Sequence, residues 1–186
     1  MVEALLKTSI VTSEEYLQGE KQTPVKHEFV NGTIYAMGGA SDRHGIISGN
    51  FFANIHAKLP DSCEVFISDM KLHTQKNDEQ CFYYPDILVS CDKTDNNKYY
   101  REKPILIVEV LSPSTERIDR TEKRERYQSI PELQEYVLIA QEYPKIEIYR
   151  RSNAWRVEEY FIEHSFRLES VNMEFQVADM YKRIKY

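Results

Sequence analysis

At 186 residues the chain is long enough for one domain that removes roughly 70% of its unfolded surface from water and so supports a real core. Its formal net charge of -6 argues against a broad nonspecific nucleic-acid surface, because phosphate binding draws on clustered Lys and Arg, and it confines any DNA contact to a local patch. No run approaches the ~18 apolar residues of a membrane span, and MVEALLKTSI lacks the apolar length of a signal peptide, so no membrane association and a cytoplasmic location are expected.

Cys63, Cys81 and Cys91 are odd in number and show no CxxC spacing, which fits neither a disulfide framework nor a zinc site. Three reduced thiols in or beside strands are expected.

In chain order, Thr12 with Glu15 forms a capping box for a short helix that Gly19 ends, a cover for the scaffold. HEFVNGTIYAM then places Asn31-Gly32 between two β-rich stretches, a strong hairpin signal. The same residues with Thr33 match a glycosylation sequon, but without a secretory signal the turn reading prevails. Glu28 lies on the first strand, where an exposed acid is the ordinary reading. After Gly38-Gly39, Ser41 or Asp42 caps a helix running to about Leu59, with Ile47, Phe51, Ile55 and Leu59 as the apolar stripe and Phe52 beside it. His44 falls in its first turn, where it could touch an anion or a carboxylate, or simply cap and pack. His56, His73 and His164 have no partner at a metal-ligand spacing.

Cys63 to Met70 reads as a strand and Phe82 to Ser90 as the next, joined as a hairpin over the polar loop QKNDEQ. Within the second, Asp86 follows Pro85, a residue tolerated at a strand start or edge, so an acid stands at a strand end. The loop from Asp92 to Lys103 interleaves Lys93, Lys98, Arg101 and Lys103 with Tyr99 and Tyr100, which could grip a backbone and stack on bases, although such loops are more often solvated surface.

PILIVEVL, residues 104 to 111, is one apolar strand except for Glu109. A strand apolar on both faces is buried on both faces, and an ionised carboxylate there costs several kcal/mol, the order given for buried ions, unless a cation, a metal or several donors satisfy it. Glu109 therefore needs a partner, either in a structural ion pair or in a functional site. After Pro113 a polar turn leads into a helix, for which Asp119 with Glu122 loosely fits a capping box. Lys123, Tyr127 and Ile130 stand at i, i+4 and i+7, so the apolar stripe carries the lysine and Lys123 is expected to face the sheet, unless its ammonium snorkels to water.

EYVLIA, residues 135 to 140, returns as a strand parallel to 104 to 111 by a right-handed crossover. Ile146 to Arg150 and Trp155 to Ile162 form a further hairpin over residues 151 to 153, and Val177 to Ile184 reads as a short amphipathic helix. The 13 Tyr and 8 Phe fall largely in strand stretches and read as core or interface area.

The order Pro85-Asp86, then EVLSPST from Glu109 to Thr115, then Asp119, Lys123 and Tyr127 resembles the Uma-two family of putative restriction endonucleases, a branch of the PD-(D/E)XK nuclease superfamily. The likeness runs from about Glu28 to about Arg150. It implies an α/β fold, restriction-endonuclease-like, with a central mixed β-sheet flanked by helices and additional β-hairpins. One domain over residues 1-186 is expected, its core at about 26-150 and its N-terminal helix and C-terminal elements as additions. The chain departs from the superfamily pattern where the K of (D/E)XK falls on Leu111, which carries no charge. In the resembled branch the lysine moves to the following helix, where Lys123 stands.

The resemblance implies a magnesium-dependent endonuclease, with manganese as a substitute, acting on DNA. Asp86 and Glu109 would share the ion, with the Val110 carbonyl as a further ligand. Lys123 would hold the attacking water or offset transition-state charge. Accessory roles would fall to Glu28, which the family places near the site, and to His44, Tyr127, Ser112 and Ser114, the serines through outer-shell hydrogen bonds. A homodimer fits the cutting of two strands by two copies of one site. Two other classes stand beside this reading: a catalytically degenerate binding or assembly protein that keeps the charges as a buried network, and a glycosidase, which gives Lys123 no necessary role.

Overall fold

The computed structural model describes residues 11–185, so the expectation for MVEALLKTSI lies outside the described residues. The first helix, α1 (Ser13–Glu20), starts where the sequence places it: Thr12 accepts from the Glu15 amide and the Glu15 carboxylate accepts from the Thr12 amide at 2.8 Å. The hairpin β1 (His27–Val30) and β2 (Thr33–Ala36) turns over Asn31 and Gly32, with φ of 44° and 89°. Both lie in the left-handed region that a two-residue hairpin of this twist requires, which is why Asn-Gly stands there. Ser41 caps α2 (Asp42–His56) by accepting from the His44 amide at 3.1 Å.

The region between α2 and the central strand contains more strands than expected. β3 (Glu64–Ile67) is short, and QKNDEQ is a tight hairpin between β4 (Lys71–Lys76) and β5 (Glu79–Tyr83), turned at Asn77 with φ 55°. The expected run from Phe82 to Ser90 is divided at Pro85. Without an amide hydrogen, Pro85 ends one ladder, and the chain leaves β5 in one sheet to enter β6 (Ile87–Ser90) in the other. The loop after β6 holds a two-residue strand, β7 (Tyr100–Arg101), and is pinned by buried Asp95, which accepts from the Lys103 amide at 2.8 Å and from Ser90 Oγ at 3.3 Å. Arg101 turns inward to Glu64, while Lys98 and Tyr99 stay exposed.

The central strand β8 (Pro104–Leu111) matches its expected span. It is followed by α3 (Glu116–Arg120), α4 (Glu122–Gln128) and β9 (Glu135–Ala140), and β8 and β9 pair in parallel. The chain then runs through β10 (Lys145–Arg150) and β11 (Val157–Phe161) into a small pair unmarked in the sequence reading, β12 (Ser165–Leu168) and β13 (Met173–Gln176). The final helix α5 (Val177–Met180) is one turn, shorter than expected.

One mixed sheet has the order β11-β10-β9-β8-β6-β3 and a second the order β2-β1-β5-β4-β7. The faces of β8 alternate: Val108 and Val110 pack with Ile47, Phe51 and Ile55 of α2, while Ile107 and Leu111 pack with Tyr127, Ile130 and Leu133, and with Leu72 and Tyr83 of the second sheet. Each such fully buried Ile, Leu or Val contributes about 1.5 to 3 kcal/mol. The acid Glu109 therefore points toward α4, between the two sheets.

The cysteines differ from expectation. Antiparallel pairing of β3 with β6 sets Glu64 opposite Ser90, so the next residues outward, Cys63 and Cys91, face each other and form a disulfide, while Cys81 is free and buried. Odd number and spacing do not reveal this, because the pairing is made by the ladder. Among the described residues no helix is long and apolar enough to cross a membrane.

Candidate active site

Four elements bring acids to one point. In the β6–β8 ladder Ile87 opposes Val108, which sets Asp86 beside Glu109. Their carboxylates bind each other's strand: the Asp86 amide donates to Glu109 Oε2 at 3.2 Å, and the Val110 amide donates to Asp86 Oδ2 at 2.7 Å. The other Glu109 oxygen, Oε1, accepts from Tyr127 OH at 3.0 Å and lies 3.4 Å from Lys123 Nζ.

Lys123 faces the sheet at 6% exposure, as its helical spacing requires. Its ammonium is 3.0 Å from Glu28 Oε1 and 3.4 Å from Asp119 Oδ1, with the Tyr83 ring centroid at 5.6 Å. Glu28 is thus turned inward on β1, and it also accepts from the Tyr84 amide at 3.3 Å. From the other face, at the N-terminus of α2, His44 Nε2 reaches Asp86 Oδ2 at 3.1 Å.

Burial pushes Glu109 well above the usual carboxylate range; Lys123 opposes this, while Asp119, Asp86 and Glu28 add to it. Asp119 is raised for the same first reason, against the pull of Lys123 and a hydrogen bond from Thr115. Lys123 moves up: burial works against its charge, but Glu109, Glu28 and Asp119 outweigh it. His44 is likewise raised, burial being overcome by Asp86, Asp119 and the Val110 main chain. The site holds four carboxylates against one lysine and one histidine, and each charged form depends on the others.

Asp119 is where the sequence reading fell short. It is not a helix cap; it lies inside α3, 2% exposed, with its carboxylate on Lys123 across a kink at Thr121. Attraction to the buried ammonium outweighs capping. The i,i+4 spacing of Asp119 to Lys123 was the available signal. Leu111, at the superfamily lysine position, lies in the apolar cluster with Tyr127 and Leu138. Ser112 and Ser114 bond each other at 3.0 Å, and Ser112 accepts from the Thr115 amide at 3.2 Å, so they shape the turn into α3.

A mixed sheet flanked by helices, with Pro85-Asp86 entering one strand and Glu109 on its neighbour, is the architecture expected of a restriction-endonuclease-like fold. The chain belongs to the Uma-two family, whose model, described as "Putative restriction endonuclease", matches residues 13–178. It is 36% identical over 182 residues to "Uncharacterized protein slr1290" of Synechocystis sp. (strain ATCC 27184 / PCC 6803 / Kazusa), covering 95% of this chain and 94% of that one. To "Uncharacterized protein sll1609" of the same organism it is 37% identical over 148 residues, covering 77% and 82%. A crystal structure titled as a putative nuclease belonging to DUF820, from Anabaena variabilis ATCC 29413, superimposes with a TM-score of 0.70 at 16% identity, covering 92% of this chain and 97% of that one.

Proposed function

We propose that the protein is a magnesium-dependent endonuclease that hydrolyses DNA phosphodiester bonds, with manganese as a substitute. The observation that carries this reading is the convergence of Glu28, Glu109 and Asp119 on Lys123 Nζ, with Asp86 held alongside. That is more negative charge than one lysine and one histidine neutralise in a buried place, and a divalent cation answers it.

The donors fit such an ion. All four acids offer hard oxygens, and Asp119 Oδ1 is buried with an ion-pair contact but no hydrogen bond. Among the described residues no three acidic, His or Cys side chains already form a metal cage. Magnesium asks for less: one or two carboxylates, with waters and substrate phosphate completing the shell. Asp86 and Glu109 would hold it, with the Val110 carbonyl. Bound there, the ion supplies Lewis acidity and a water of lowered pKa.

The side chains do the rest. Tyr127 fixes one oxygen of Glu109 and leaves the other toward Asp86, while His44 steadies Asp86 from the opposite face. Lys123, held by Glu28 and Asp119, is a permanently charged ammonium that offsets negative charge developing on the phosphate. Contact with DNA is local, given the acidic whole, and a homodimer would bring a second site to the second strand.

Magnesium and manganese should raise the melting temperature, since an ion that binds the folded state stabilises it. Glu109→Gln or Asp86→Asn should abolish that rise. A wild-type melting temperature indifferent to both ions would favour the degenerate, network-only reading.

A further inference from the structure

On the far side of the five-stranded sheet from Glu28, α1 and residues 97 to 100 enclose a cavity of about 380 Å³. The side is set by alternation along β1: Glu28 turns toward Lys123, whereas its neighbour Phe29 packs on Tyr16 of α1. Lys71 lines this cavity at 9% exposure. Its Nζ lies 4.9 Å from the Tyr84 ring centroid and has no hydrogen-bond acceptor among the described residues. The nearby acid Glu20 is already engaged, by His27 Nδ1 at 2.9 Å and by Tyr84 OH at 2.8 Å. Burial disfavours the charge on Lys71; Glu20 partly offsets this, and Lys21 and Lys26 add to it. Glu14 and Glu20 line the cavity with Lys21 and Lys71, but Glu20 is taken up by His27 and Tyr84, and a largely buried ammonium without a bonded acceptor is suited to an anion.

The remaining wall sets Tyr99 and Tyr100 beside Leu17, Gln18, Asn97 and the acid Glu14. Tyr99 is 45% exposed and flanked by two ammoniums, Lys21 Nζ at 5.3 Å and Lys98 Nζ at 5.4 Å from its ring, with Leu17 and Tyr100 beside it. An anion site next to an available ring has the two halves of a nucleotide, phosphate and base. Lys71 is also linked to the acidic cluster through one residue outside the cavity. Tyr84, against which Lys71 rests, donates its amide to Glu28 and stands two positions before Asp86.

We infer that this cavity is a subsite for one unpaired nucleotide of the bound strand beyond the scissile phosphate, with Lys71 and Lys21 on its phosphate and Tyr99 stacked on its base. The role in a substrate strand rests on the nuclease reading; the binding does not. Because every base has a π-face, recognition there is indifferent to sequence.

The test is fluorescence anisotropy of a short fluorescein-labelled single-stranded DNA with the full chain in EDTA, alongside plasmid cleavage in magnesium. Lys71→Met keeps the stem on Tyr84 and removes the charge; it and Tyr99→Ala should each weaken binding about five- to tenfold or more, the order of one stacked base or one ion contact. Lys71→Arg should retain binding, and Lys71→Met should lower the salt slope by about 1. Wild-type affinity in Lys71→Met and Tyr99→Ala, or no single-strand binding by the wild type, overturns the inference. If binding needs Lys71 while wild type and Asp86→Asn are equally inactive, the subsite stands and the nuclease reading falls. Cleavage that needs Asp86, with binding indifferent to Lys71 and Tyr99, gives the reverse.

Discussion

Asp86 and Glu109 are clasped across the ladder by main-chain amides: Asp86 Oδ2 accepts from Val110, the residue after Glu109, at 2.7 Å, and Glu109 Oε2 accepts from Asp86 at 3.2 Å. The two acids are therefore held in register by backbone before any ligand arrives. Asp86→Ala should leave the Val110 amide without its acceptor and cost about 1 to 3 kcal/mol in urea unfolding. Asp86→Asn, which still offers an oxygen, should cost clearly less. Equal losses in the two variants would mean that the clasp does not stabilise the strand pair.

Lys123 is the common counter-charge of Glu28, Glu109 and Asp119. Lys123→Met preserves most of the stem and leaves three acids facing one another, so it should destabilise by about 3 to 5 kcal/mol. Adding Glu109→Gln should recover part of that loss, because one of the orphaned charges is gone. A Lys123→Met variant within about 0.5 kcal/mol of wild type, the size of an ordinary surface change, would contradict the buried-network geometry.

Helix α3 is tied to the large sheet by Arg120, which meets Glu147 of β10 at 2.5 Å, while Lys145 meets the same carboxylate at 2.8 Å. Burial alone would raise the Glu147 pKa, but the bonds from Arg120 and Lys145 overcome it and hold the group below its ordinary 4.5. A carboxyl that binds its proton less tightly when folded contributes stability above its unfolded pKa and loses it as pH falls through the folded value. Glu147→Gln should therefore melt lower than wild type at pH 7, and the gap should close on the acid side of about pH 4. A gap independent of pH would assign the effect to packing alone.

Cys63 and Cys91 close a loop with a sequence separation of 28. Under nonreducing conditions denatured protein should show one free thiol, Cys81, and three after reduction. Reduction should lower stability by about 2 to 4 kcal/mol. Three free thiols before reduction would contradict the pairing.

The central elements were legible because local signals agreed with the fold. The Thr12 capping box, the Asn31-Gly32 turn, the α2 stripe and the unbroken apolar run around Glu109 each needed only nearby residues. Lys123 was legible too, since its spacing with Tyr127 put it on the buried stripe. What was hidden depends on partners distant in sequence. QKNDEQ reads as a loop because its polar residues form the tip of the β4–β5 hairpin, and Cys63 finds Cys91 only after β3 has paired with β6. Asp119 resembled a cap because its three-residue spacing to Glu122 competes with its four-residue spacing to Lys123, and the ion pair with the buried lysine decides between them. The β12–β13 pair carries no turn signal of the strength of Asn-Gly, although Asn172 adopts a φ of 54° in its connection.

Cleavage of supercoiled plasmid by purified protein in magnesium, manganese or EDTA, with Lys123→Ala and Glu109→Gln in parallel, tests the central claim most directly. The wild type should nick or linearise the plasmid in either metal and not in EDTA, and both variants should be slower by roughly a hundredfold or more, the scale of losing one group that stabilises transition-state charge. Cutting that is equal in all three proteins and insensitive to EDTA, or no cutting by the wild type in either metal, would contradict it.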